Sequence, residues 1–504
     1  MQSVEDLLKE FCADPEGYEI NKTIGLKMLT LRKYKQRAEL HIKMALAHGR
    51  EDEQTPHLMD AMGMIHSTAG RFKEAADIYA QCCKKYPRMG GFPFRYGHAL
   101  LRLGRINEAS EIFRAKTNRL YEQAKHSSQE KGEPVVHVLE PSNIICLFFG
   151  ELAAKLDLYL KVRELGYAEA ETPVLYAPKG SVSNQCLLDY WGKRITVIKD
   201  ADEIARHQAE YPANTVLLDY FTVPGGMTLH RDLAHRAFHN LWEDEGRPPL
   251  LKLDDAHREK GWDVLRKHGV PEGAWFAPLH VRESGFFDED VEWSGNFLRN
   301  AHIETYFPAI REITGRGGWV LRLGDASMAP LPEMDRVIDY AHSDFKSDWM
   351  DIFLIAEGRF YFGMASGPSS AAVAFGTPTL GTNWFHLGPW PYCPGDIFIH
   401  KLLRSVEDGR ILSIAESLAP TLFGALEPLF FEKIGLEALD NTPQEILEAT
   451  REMLDGLEGK LVYSKDDERT QAAFRRQADP YGIEIRSRAA RGFLERHPEL
   501  IEET

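Results

Sequence analysis

The stretch FGMASGPSSAAVAFGTP, residues 362–378, sets small hydroxyl residues and glycine where a strand-like run gives way to a helical one. A helix N-terminus offers unpaired N–H groups and the positive end of the peptide dipole, and both suit a phosphate. Ser366, Ser369 and Ser370 can add hydroxyl donors, and Gly367 lets a ligand approach the backbone. The same residues can also do no more than cap a helix. Two further strand ends bear on the choice. APLHVRESGFF sets His280, Arg282 and Glu283 just beyond a buried run, and WVLRLGD does the same with Arg322, Gly324 and Asp325. Arginine grips phosphate oxygens bidentately. Two arginines at strand ends beside a Ser/Gly helix start form a clamp for a diphosphate.

Metal chemistry finds less support. Asp344 and Asp348 read as solvated or capping carboxylates, and there is no Asp-x-Asp pair beside a strand. His230, His235 and His239 occupy one helical stretch, LHRDLAHRAFHN, but only His235 and His239 are one turn apart, and no HExxH occurs. No metal site is expected. Neither a Walker A motif nor a GxGxxG after the strand near residue 134 is present.

These residues need a scaffold. From Pro134 onward short apolar runs alternate with amphipathic helical patterns, which means βαβ units and parallel sheets. PVVHVLEP, TPVLYAP, RITVIKD and NTVLLDYF make one series of strands; WFAPLHV, GWVLRLGD, VIDYA, RFYFGMA and TPTLGTN make another. The fold class is α/β, with two Rossmann-like domains, 134–268 and 269–420, and a cleft between them. In open α/β sheets ligands bind at the carboxyl ends of strands, where the arginines and the serine turn fall. Residues 421–504 read as charged C-terminal helices.

Residues 1–130 read as all-helical with an internal repeat. Gly63, Gly70, Ala75 and Tyr79 recur 34 positions later as Gly97, Gly104, Ala109 and Phe113. That period, with small residues letting two antiparallel helices approach and an aromatic filling the gap beside them, resembles the tetratricopeptide repeat. A structural cap and a docking surface for a protein partner both remain open.

The net charge of −16 over 504 residues argues against nucleic-acid or anionic-membrane binding. No apolar run is long enough for a membrane span. MQSVEDLLKE has neither the basic nor the apolar region of a signal peptide. Six cysteines without ligand spacing read as reduced, mostly buried thiols of a cytoplasmic protein.

The stretch DIFLIAEGRFYFGMASGPSSAAVAFGTPTLGTNW resembles the donor-side motif of GT-B glycosyltransferases, and LHVRE is similar to the H-x-R of their fucosyltransferase-like branch. The order HVRE, RN…Y, GG-x-V-x-R-x-GD, DYA-x-S, DI and SGPS followed by G-x-P resembles a bacterial family of surface-carbohydrate glycosyltransferases. The likeness covers roughly Val135 to Ile411. It implies a metal-independent transfer of sugar from a nucleotide diphosphate, a GDP- or UDP-sugar, with no cofactor. Arg282 matches the pyrophosphate arginine, Arg322 and Gly324 a strand-end donor contact, and Ser366, Gly367, Ser369 and Ser370 the phosphate or ribose turn. His280, Asn300, Ser343 and Asp351 fall on the same motif order and join the donor set. Glu283 and Glu151 are the candidate bases. HVRE lacks the second arginine of many fucosyltransferases, which leaves the donor base open. The acceptor is a carbohydrate or a protein, the latter presented by the helical repeats. A nucleotide-sugar epimerase or hydrolase, and a non-catalytic adaptor, are the alternatives.

Overall fold

The computed structural model describes residues 14–30, 35–48, 51–140, 144–168, 172–283, 297–385, 393–422, 424–426 and 428–501, together with Lys9 and Cys12. The signal-peptide reading rests on residues 1–10 and falls, Lys9 apart, outside these; so does the SGFF that follows Glu283. The chain divides into two compact units, Met1–Lys116 with Ala419–Phe430, and Thr117–Leu418 with Phe431–Thr504.

The first unit is helical: α1 (Tyr18–Thr30), α2 (Lys35–Ala47), α3 (Thr55–Thr68), α4 (Phe72–Lys85), α5 (Phe92–Arg102) and the start of α6 (Ile106–Glu130). One contact recurs a 34-residue period apart. A β-carbon added to Gly63 of α3 would lie 2.4 Å from the Tyr79 ring of α4, and one added to Gly97 of α5 would lie 2.2 Å from the Phe113 ring of α6. The turns after α3 and α5 pass through Gly70 and Gly104 at φ of +75° and +74°, which side chains rarely tolerate. Phe430 returns from the distant segment to pack on Phe72, ring centroids 6.0 Å apart, beneath the Arg102 guanidinium. Gly97→Val therefore drives two methyls into the Phe113 ring. It should destabilise the unit by about 1–3 kcal/mol, read by urea melts; an unchanged midpoint would show that the helices part without cost.

The second unit holds both parallel sheets. The first contains β1 (Val136–Leu139), β2 (Thr172–Tyr176), β3 (Thr196–Ile198) and β4 (Thr215–Val216), in the order β3-β2-β1-β4. A small antiparallel hairpin, β5 (Tyr220–Thr222) and β6 (Thr228–His230), follows. The larger sheet contains β7 (Phe276–His280), β8 (Trp319–Arg322), β9 (Val337–Ile338), β10 (Tyr361–Gly363), β11 (Thr379–Trp384) and β12 (Ile397–His400). A two-residue strand joins its edge, giving the order β15-β12-β11-β10-β7-β8-β9, with β15 at Arg488–Ala489. β13 (Leu402–Ser405) and β14 (Leu436–Leu439) form a separate antiparallel pair. The region beyond residue 420 is thus not all helix: β14 and β15 form through pairing with distant strands, which outweighs their weak local preference.

Both sheets reverse direction in the middle. In the larger one the chain runs β7, β8, β9 outward, then returns to the other side of β7 for β10, β11 and β12. In the smaller one the reversal lies between β1 and β4. Such switch points open a crevice at the carboxyl ends of the strands.

Beneath the larger sheet, Ile446, Ala449, Met453 and Leu454 of helix Pro443–Leu457 join a core with Ile310, Ile313, Leu380 and Phe398. That helix begins with a capping box in which Glu445 accepts from the Thr442 N–H at 2.7 Å and holds His497 Nε2 at 2.5 Å. Burial opposes charge on Glu445, yet His497 and the cap bring its pKa below the ordinary value; burial likewise opposes charge on His497, yet Glu445 and Glu499 raise it. The histidine's contribution is complete below its ordinary pKa and lost as pH rises through the raised one. The carboxylate's is complete above its ordinary pKa and lost as pH falls through the lowered one. The stability gap between wild type and His497→Gln should therefore be widest between the ordinary carboxylate and histidine values, about 1.5–3 kcal/mol, and close at both extremes. Melts across pH measure it; a flat gap would remove the ion pair as its cause.

Candidate functional site

Both switch points open into one cavity of about 1060 Å³. From the smaller sheet come Glu140 beyond β1, then Ile144, Leu147 and Phe148, and Leu217 and Asp219 beyond β4. From the larger sheet come His280, Arg282 and Glu283 beyond β7 and the Ala365–Ser370 turn beyond β10.

The wall from the larger sheet carries Arg282, Arg299 and Lys346, and with them the carboxylates Glu283, Asp325 and Asp351. Burial and then Arg282 push the Arg299 pKa down to about 9, and burial with Arg282, Arg322, Arg299 and Lys346 pushes His280 down to about 3. His280 is thus a neutral imidazole among crowded cations. His280 Nδ1 and Arg299 Nε are buried without a hydrogen-bond partner among the described residues. Arg299 also donates to the Ala365 carbonyl at 2.9 Å, which ties it to the serine turn. Lys346 pairs with Asp351 at 3.2 Å; burial, against Lys346, raises the Asp351 pKa.

Two helix N-termini bring the positive ends of their dipoles to the cavity. Helix α7 (Phe149–Glu164) and helix α9 (Gly367–Phe375) start at the cavity and meet tip to tip. A β-carbon on Gly367 would lie 2.8 Å from Phe149 Cδ1 and 2.9 Å from Gly150 N. The smallness of Gly367, read from sequence as room for a ligand, serves this helix contact. Ser366 and Ser369 are engaged as caps: the Ser366 N–H donates to Ser369 Oγ at 3.1 Å, Ser369 Oγ donates to the Ser366 carbonyl at 2.7 Å, and Ser366 Oγ meets Tyr361 Oη at 3.0 Å. Ser370 lines the cavity as well.

The wall from the smaller sheet carries carboxylates. Buried Lys155 is shared by Glu140 at 2.7 Å, Asp219 at 2.9 Å and Glu151 at 3.2 Å. Glu151 also takes a two-pronged contact from Arg231, one prong at 2.5 Å. Burial resists, but Arg231 and Lys155 lower the Glu151 pKa, and Lys155 does the same for Asp219. Asp232 opens helix α8 (Arg231–Asp244), lines the cavity with its side chain 38% exposed, and lies close enough to Arg299 to offset part of that residue's shift.

Several sequence candidates sit elsewhere or are occupied. Arg322 is fully buried and outside the cavity wall; it donates to Glu283 at 2.6 Å and to the Ala329 carbonyl at 2.5 Å. Glu283 lines the cavity but accepts from Arg322 and the Ala329 N–H, so it orients Arg322 rather than Arg282. Gly324 lines the cavity, yet Met328 Sδ would lie 2.2 Å from a β-carbon there, so the methionine fills that room. Asn300 and Ser343 lie outside the wall: the Asn300 carbonyl accepts from Lys401, and Ser343 Oγ donates to the Tyr340 carbonyl. Arg299, next to Asn300, and Lys346 take their places. Arg299 belongs to the RN…Y of the motif order, whereas Lys346 has only its charge and its place near Ser343 and Asp351 as a sequence signal. Of the six cysteines, all free, two are buried, so burial is less general than expected. No helix among the described residues is long and apolar enough to cross a membrane.

No family model matches the chain, and no curated protein matches it. Solved structures similar to it include a family 9 glycosyl transferase from Veillonella parvula, 11% identical, covering 49% of this chain and 79% of that one at a TM-score of 0.32. Another is TibC, an iron-containing dodecameric glycosyltransferase from enterotoxigenic E. coli, 13% identical, covering 65% and 77% at 0.37. A third is the Thermobaculum terrenum O-GlcNAc transferase, 12% identical, covering 94% and 93% at 0.28.

Proposed function

We propose that the chain is a GT-B glycosyltransferase that moves a sugar from a nucleotide diphosphate to a hydroxyl acceptor. The observation that carries this reading is one cavity shared by two switch points, where Arg282 and Arg299 stand beside the serine turn and face a carboxylate set, Glu140, Glu151, Asp219 and Asp232, interleaved with Lys155 and Arg231. Arg282, Arg299, Lys346 and the two helix tips receive the diphosphate and stabilise the charge that develops on it as the glycosidic bond breaks. Neutral His280 donates or accepts one hydrogen bond there. Asp232 takes the proton of the attacking hydroxyl. Asp232 also meets cationic neighbours, Arg231 at 3.4 Å and His230 at 3.3 Å, but Glu151 and Glu283 are held more tightly, Glu151 by Arg231 and Lys155 and Glu283 by Arg322 and the Ala329 N–H. Transfer needs no metal at this cavity. The helical repeats of the first unit present a polypeptide acceptor or partner.

A thermal-shift screen of GDP-, UDP-, dTDP-, CMP- and ADP-sugars tests the donor. A diphosphate donor should raise the melting temperature, and the matching nucleoside should not. Incubation of labelled donor with and without acceptor then separates transfer from epimerisation, which needs no acceptor. Failure of every nucleotide to bind would leave the adaptor reading.

A further inference from the structure

We infer that His239, Glu243 and Cys393 form a binding site for a zinc-type divalent cation, outside the cavity. His239 and Glu243 are one turn apart on α8, with His239 Nε2 3.2 Å from Glu243 Oε1. Cys393, from the segment leading into β12, places Sγ 3.2 Å from the same Nε2. The three ligand atoms lie within 4.8 Å of one another. Zinc bonds of about 2.0–2.3 Å at tetrahedral angles require ligand separations of roughly 3.3–3.6 Å, close to the two measured from His239 Nε2. One thiolate, one imidazole and one carboxylate suit zinc and exclude calcium and magnesium. None of the three lines the cavity, so the ion belongs to no step of the proposed transfer.

The surroundings allow the ion but set a condition. Asp396 holds the Cys393 N–H at 3.0 Å and so fixes the loop carrying the thiol. Lys161 Nζ donates to His239 Nδ1 at 2.9 Å and to Asp157 at 2.7 Å. An ammonium can only donate, so the ring proton sits on Nε2 while that bond lasts. Binding moves the ring proton to Nδ1, leaves Lys161 on Asp157 alone, and releases the Cys393 thiol proton to solvent. The result is a clasp between α8, which follows the smaller sheet, and the approach to β12 in the larger one.

Cobalt(II) alone, titrated into the full chain under reducing conditions, reports the site. The expected result is one equivalent bound, a thiolate-to-cobalt charge-transfer band in the near ultraviolet, tetrahedral visible bands, and loss of both on adding zinc. Cys393→Ser should abolish the charge-transfer band, Cys186→Ser should keep it, and Glu243→Gln should keep it with weaker binding. A missing band in the folded wild type, or one that survives Cys393→Ser, overturns the proposal. If Cys393→Ser fails to fold, Glu243→Gln decides: an unaltered affinity counts against the site.

Discussion

Arg282→Ala is expected to abolish donor binding while the chain stays folded. The guanidinium stands beyond β7 in a wall where several cations crowd a neutral histidine. Removing one member of a desolvated charge pair costs about 2–5 kcal/mol, so affinity for a nucleoside diphosphate should fall by roughly 30- to 5000-fold. Arg282→Lys should rescue little, because a point charge lacks the planar fork. Arg299→Gln should give the same loss with an opposite effect on stability. Burial and Arg282 hold Arg299 near 9, so its charge is carried at a cost in the ligand-free protein. The glutamine variant should melt higher than wild type at neutral pH. Calorimetric titration and melts measure both; near-wild-type affinity for either variant would remove that arginine from the donor site.

The second large effect belongs to Gly367→Val. A ligand-approach role for this glycine predicts weaker donor binding and unchanged stability. The contact with Phe149 and Gly150 predicts otherwise: the added carbons strike the tip of α7, and α7 and α9 must part. Overpacking of this kind costs about 1–3 kcal/mol, and the cavity floor opens with it. Melting temperature and donor affinity should fall together. An affinity loss at constant stability would restore the ligand-approach role.

The strands were legible because buried parallel strands read as short apolar runs: β1, β2, β3, β4, β7, β8, β9 and β10 lie within the stretches expected, and β11 runs one residue past its own, to Trp384. The site was legible only in part, and Arg322 shows why. Strand ends can be located from composition, but side chains alternate faces, and which face meets the cavity is set by packing. Arg322 is the last residue of β8, opposite Leu279 in the register, and it points into protein; Arg282 lies two residues past the end of β7 and lines the cavity. The serine hydroxyls carried a genuine ambiguity, since capping a helix and meeting a phosphate use the same atoms. Arg299 stood in the RN…Y of the motif order, but the choice between it and Asn300 turns on a single 3-10 turn, Phe297–Arg299, too short to leave a periodic trace.

The edge strand β15 carries a consequence for synthesis. β12 is apolar along Ile397, Phe398 and Ile399, and its outer hydrogen-bonding edge is closed by Arg488 and Ala489, some ninety residues later in the chain. During translation, β12 leaves the ribosome well before its closing partner. For that interval the nascent sheet displays an unprotected, sticky template for strand addition by another chain. Slowing elongation between residues 400 and 488 should lengthen that interval, and with it the chance of aggregation.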